Sequence, residues 1–179
     1  MGAWSVLIPF LVKEELHGSA LALGAVYAAG GVGAIAIALL MGQHGRLPRR
    51  PLTSYYMAWV ISCVFMAMFG VVFQVWQALV IAAVCQGASA VQNVLWFTVQ
   101  YRLIPERILG RVSSLDWTIS LVGLPLSYAI VGPLAKAVGT RNALVATGLA
   151  GAVAMAVPLF VSSALGPERD GSLDEVEIT

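Results

Sequence analysis

Charge is scarce in this chain: Lys, Arg, Asp and Glu together make up 11% of its 179 residues, while 59% are hydrophobic. Soluble domains carry about 25% charged residues. A chain this poor in charge does not cover a water-facing surface, and its mean hydropathy of +0.86 agrees. Cysteine is almost missing. Cys63 and Cys85 lie within apolar runs and read as small core residues, not as a disulfide, a metal site or a nucleophile. His17 and His44 stand in separate polar segments, which excludes a histidine metal cluster, and no cofactor is expected. A formal net charge of +1 gives nucleic acid nothing to hold. The chain lacks a phosphate-binding glycine loop with its lysine, a His-Glu-x-x-His pair and a G-x-S-x-G elbow. Ser19 follows His17 and Gly18 at a loop and helix start, which is no setting for a nucleophile. A secretory leader is not visible: Met1 to Val12 is apolar but has no basic flank, and it is too short to cross a bilayer.

What the chain does have is long apolar runs. Between Arg50 and Arg102 there is no Lys, Arg, Asp or Glu, and that gap holds two spans of roughly 20 residues. The runs predict an all-α, polytopic transmembrane bundle with five full spans and one partial span. The expected bounds are 3–12 (partial), 20–42, 53–73, 76–100, 113–135 and 143–165. Open strands are excluded, because every backbone polar group in lipid must be satisfied internally and no barrel-like alternation is present. Residues 166–179 read as an acidic, disordered tail. The partial span fits a chain that begins partway through a helix.

Basic residues set the expected orientation. Arg46, Arg49, Arg50, Arg102, Arg107, Arg111 and Arg169 collect on one side, against Lys13, Lys136 and Arg141 on the other. Seven against three places the two basic loops and the tail in the cytoplasm. Tyr55, Tyr56, Trp96, Tyr101 and Trp117 then fall near the cytoplasmic interface, as aromatic anchors.

Polar residues within the spans are the candidate functional residues. Gln86, Asn93 and Gln100 recur every seven residues on one helical face, and Ser89 falls close to it. Such a face either bonds neighbouring helices or lines a wet pathway, and the two are compatible. The spans 53–73 and 143–165 have few strongly polar residues and read as outer, lipid-facing helices. Asp116 is the one acid within the five full spans. It reads either as an acid near a helix N-terminus, favoured by the dipole or a loop arginine, or as a coupling or gating group. Gly123, Pro125, Gly132 and Pro133 predict a kink or a close-packed seam in the span 113–135.

The order of features resembles the carboxy-terminal half of the major facilitator superfamily, in particular bacterial drug or siderophore efflux members. Three stretches carry the likeness. Gly45-Arg46-Leu47-Pro48-Arg49-Arg50 resembles the basic loop between the eighth and ninth helices. Ile104-Pro105-Glu106-Arg107-Ile108-Leu109-Gly110-Arg111-Val112-Ser113-Ser114 is similar to the Pro-Glu/Asp…Gly-Arg-Val-x-Ser segment before the eleventh. Pro125-Leu126-Ser127-Tyr128-Ala129 with Gly132-Pro133 looks like the eleventh helix itself. On this mapping Met1 to Val12 ends the seventh helix and the five full spans are the eighth to twelfth.

The resemblance implies alternating access around a midplane site, small-molecule export coupled to protons, and location in a bacterial inner membrane. Its implied partners are the lipid bilayer, a small-molecule substrate and the amino-terminal six-helix half, so this half alone is expected to be inactive. Gln86, Ser89, Asn93 and Gln100 are the expected pathway residues, with Asp116, Arg107 and Arg111 in gating or coupling. Eight arginines against two lysines, with abundant alanine and glycine, point to a high-GC bacterial source. A different class remains open: a non-transporting membrane scaffold or assembly partner. A membrane-embedded enzyme would need a cluster of His, Asp, Glu or Ser at membrane depth, and Asp116 stands alone.

Overall fold

The computed structural model describes residues 2–44, 48 and 50–160. Among these residues every regular element is helical. The helices are α1 (Gly2–Phe10), α2 (Ala20–His44), α3 (Pro51–Met68), α4 (Val75–Leu103), α5 (Glu106–Val138) and α6 (Thr140–Phe160). The segments Ala20–Gln43, Pro51–Val71, Val75–Leu103, Glu106–Val138 and Thr140–Phe160 are long and apolar enough to cross a membrane. The expected all-α bundle of five spans and one short helix is the observed fold class. The tail and most of the Gly45–Arg50 loop lie outside the described residues.

Local chemistry explains the helix ends. Ser19 Oγ accepts the Ala22 N–H at 3.3 Å and caps α2. Pro51 opens α3 at a position where its missing N–H costs nothing. Gln74 and Gln77 form a reciprocal capping box at the start of α4. Ile104, extended ahead of Pro105, separates α4 from α5. Gly139, at φ 85°, turns α5 into α6.

Two boundaries depart from the sequence reading. The cluster Lys13-Glu14-Glu15, expected to end the first span, is still helical: α1 continues as a π-turn over Leu11–Glu15. Pro9, just upstream, removes one hydrogen bond of the ladder where this widening begins. The basic segment Arg102–Arg111 was expected to be a loop, yet it is helical except at Ile104–Pro105. Its Arg, Leu, Ile and Glu residues are good or tolerable helix formers once Pro105 has started a new helix. α5 then runs unbroken through Pro125 and Pro133.

Packing follows the small residues. α2 lies along α4, where a Cβ on Gly33 would collide with the Ala83 carbonyl. α3 lies between α4 and α6, and the backbone of Ala67 sits in a notch left by Gly148. α1 packs on α5, while α4 and α5 touch only sparsely. A core of Leu7, Ile8, Leu11, Phe69, Ala78, Val131 and Leu144 joins the helices near one end. At that end Arg141 donates to Glu15 Oε2 and to the Val72 carbonyl, at 2.8 and 2.6 Å, and stacks over Phe73.

Of the two spans expected to lie outside, α6 packs chiefly on α3. α3 is enclosed between two neighbours, whereas α5 buries only Val131, and α2 is also largely exposed. Lipid tails are as apolar as a protein interior, so apolarity alone does not say which helix is enclosed.

Candidate functional site

The sparse contact between α4 and α5 leaves a cavity of about 540 Å³, walled by α3, α4 and α5. α3 contributes Tyr55 and Trp59. α4 contributes Gln92, Asn93, Trp96 and Phe97. α5 contributes Asp116, Trp117, Ser120, Leu121, Gly123, Leu124 and Ser127. On α4 and α5 these residues fall at three- and four-residue spacing, so each helix presents one continuous stripe.

Asp116 is the one charged group among these residues. Its Oδ2 accepts the Trp96 indole N–H at 3.1 Å and the Gln100 amide at 3.4 Å. Both donors come from α4, so one carboxylate oxygen links two helices that otherwise barely touch. Asp116 follows Glu106 by ten residues, well beyond the first turn where the helix dipole acts. No arginine among the described residues pairs with it. Neither the dipole nor an arginine therefore accounts for this acid; Trp96 and Gln100 do.

Helix lengths set its depth. The 33 residues of α5 span about 50 Å, against a hydrocarbon thickness of ~30 Å. Centred on the bilayer, α5 overshoots by about 10 Å at each end. That places Asp116, about 15 Å from the start of α5, roughly 5 Å inside the hydrocarbon. An acid at such a depth requires donors, and it has two.

The amides and hydroxyls of α4 separate along its length. Asn93 lines the cavity, and its amide donates to the Ser89 carbonyl at 3.0 Å. Gln100 reaches Asp116. Gln86 instead faces α2, where its Cγ would meet a Cβ built on Gly30 at 2.9 Å. Ser89 faces α3 and shares a hydrogen bond with Ser62 Oγ at 3.1 Å. A strict seven-residue repeat drifts by about 20° per repeat on an α-helix, so successive members meet different neighbours. The structure thus brings Asn93, Gln100 and Asp116 to one region and leaves Gln86 and Ser89 at helix seams. Arg107 and Arg111 lie exposed on the first turns of α5.

The sequence reading missed Gln92 and the aromatic wall. Gln92 is buried, and its amide donates to the Ala58 carbonyl of α3 at 3.1 Å. Tyr55 stacks on Trp96 with ring centroids 5.4 Å apart. Tyr55, Trp96 and Trp117 had been expected to be interfacial anchors; here they converge on the cavity. Tyr55 and Trp59 stand four apart, as do Gln92 and Trp96, and so do Asp116 and Ser120. That spacing was the available signal.

No group of three or more His, Cys, Asp or Glu residues that could hold a metal occurs among the described residues. No curated protein and no solved structure matches the chain. The family model of the major facilitator superfamily matches residues 1–177.

Proposed function

Because the chain belongs to the major facilitator superfamily, a family of membrane transporters, we propose that it is the carboxy-terminal six-helix half of a bacterial small-molecule exporter. In this reading α1 with its π-turn ends the seventh helix, and α2 to α6 are the eighth to twelfth. The exporter is of the drug or siderophore efflux type, works by alternating access in the inner membrane and is coupled to protons. The described half moves as one wall of the pathway against an amino-terminal half.

One observation carries the reading: the cavity between α4 and α5 combines an apolar aromatic wall with a few polar groups and one acid on a helix long and apolar enough to cross a membrane. Its volume falls within the roughly 300–1,000 Å³ usual for small-molecule sites. Asn93 contacts substrate, while Asp116 with Gln100 responds to it. Gln86 and Ser89 fasten the helix that carries Asn93, and Arg107 and Arg111 gate the cytoplasmic end. Asn93→Leu in the complete transporter is expected to reduce export at unchanged expression. Unaltered export by that variant places the pathway elsewhere.

A further inference from the structure

A second concavity, of about 600 Å³, lies between α2, α3 and α4, on the face of α4 opposite the Asp116 cavity. We propose that this groove seats an acyl chain of an anionic phospholipid, with the lipid phosphate on Arg50. The inference goes beyond the transport reading and does not depend on it. The groove runs from Ser54 to Ile61 on α3 and from Ala83 to Val91 on α4, with Gly33 and Ile37 across from them on α2. Missing side chains make the hollow: Gly33 and Gly87 both line it, and α2 meets α4 there at backbone distance.

Depth and charge together name the occupant. The lining is apolar except for Ser54, and Met57, Ile61 and Val84 are exposed there on spans long enough to cross a membrane. Pro51–Val71 has 21 residues and is about 31 Å long, close to the ~30 Å hydrocarbon core. Ile61 is therefore about 15 Å in from Pro51, at the midplane, so the trough follows a single leaflet from its surface inward. At the surface end the Ser54 N–H donates to the Arg50 carbonyl at 3.0 Å, which sets the exposed Arg50 one turn from the groove. From Leu16 to Pro105 the chain has no Asp or Glu, so no carboxylate on these three helices or their connections competes for that guanidinium. A guanidinium meets a phosphate through two parallel hydrogen bonds. A zwitterionic headgroup brings its own cation, which offsets the attraction, whereas an anionic one keeps it in full. The trough alone accepts any acyl chain, and the basic mouth selects the headgroup.

The test uses the full chain in a neutral detergent, titrated with phosphatidylglycerol or with phosphatidylcholine of identical chains. Native mass spectrometry counts the lipids bound. The first phosphatidylglycerol is expected to bind about fivefold tighter than the first phosphatidylcholine, the ratio for one favourable arginine contact. Arg50→Gln is expected to remove that preference and Arg50→Lys to retain most of it. Ala36 is exposed and lines the groove. Ala36→Phe is expected to weaken the first molecule of either lipid several-fold, and Ala36→Ser to leave it unchanged. Glycerol phosphate, a headgroup without chains, is expected not to compete.

Equal affinity for the two lipids overturns the inference, as does a preference that survives Arg50→Gln. Arg107→Gln removes an exposed arginine on α5 and separates a site from diffuse attraction. An equal loss of preference in that variant overturns the inference too. If Ala36→Phe changes nothing, the acyl chain does not lie in this groove. If glycerol phosphate displaces the lipid, the site holds an anion only, and the proposal falls. A dimer that Ala36→Phe dissociates, seen in the same spectra, assigns the groove to a second copy of the chain instead.

Discussion

Gly30, Gly31 and Gly33 are alike in sequence but have different neighbours, and that difference predicts their alanine variants. A Cβ on Gly33 would overlap the Ala83 carbonyl oxygen of α4 and lie 2.7 Å from its carbon. Carbon contacts settle near 3.5–4.0 Å, so α2 and α4 must part by about 1 Å. The opposing atoms are backbone and do not rotate away. Overpacking of this kind costs about 1–3 kcal/mol. A Cβ on Gly31 meets nothing within 4 Å, and the change to alanine gains about 0.5–1 kcal/mol of helix propensity. Gly30 falls between them, because its neighbour is the movable Gln86 side chain. The expected order of stability is therefore Gly31→Ala, then Gly30→Ala, then Gly33→Ala, with about 1.5–4 kcal/mol between the extremes. Titrating the full chain from mild detergent into dodecyl sulfate, followed by tryptophan fluorescence, measures that order. Gly33→Ala no less stable than Gly31→Ala refutes the α2–α4 packing described here.

Arg141→Ala removes the hydrogen bond to Val72, the stacking on Phe73 and the ion pair with Glu15; the expected loss is about 1–3 kcal/mol in the same titration. Glu15→Ala removes only the partly exposed ion pair and is expected to cost less than about 1 kcal/mol; equal losses would mean that the ion pair dominates. Trp96→Phe keeps the ring but deletes one donor to Asp116, and a loss of about 1.5–3 kcal/mol is expected; a neutral outcome would show that Gln100 or water replaces it. Proteoliposomes containing this chain alone are expected to show no substrate flux, and proton-driven flux from them would show that copies assemble a pathway.

The spans were legible because they are apolar runs bounded by charge or, between Arg50 and Arg102, because the uncharged stretch is long enough for two crossings. Helix starts were less so. Arg102 to Arg111 looks like a loop by its charges and Pro105, yet proline interrupts only the join and then begins α5. That shift changes the meaning of Asp116, from a residue near a helix start to one in the third turn. The heptad of Gln86, Asn93 and Gln100 correctly shares one face, but a face says nothing of what lies opposite at each depth. Only the crossings of α4 with α2, α3 and α5 assign Gln86 to Gly30, Ser89 to Ser62 and Gln100 to Asp116. The aromatic wall was hidden for the same reason: Tyr55, Trp96 and Trp117 come from three helices, and one sequence carries no record of which side chains meet.

The carboxylate bridge between α4 and α5 also sets how easily the two swing apart. A densely interlocked seam resists hinging, but here a single oxygen with two donors acts as a latch. Releasing two charge-assisted bonds takes roughly 3–6 kcal/mol. The free energy that turns a 1:99 equilibrium into 99:1 is about 5.5 kcal/mol, the same range. If Asp116 has the coupling role proposed above, a molecule that draws its carboxylate away from Trp96 and Gln100 releases this link between α4 and α5.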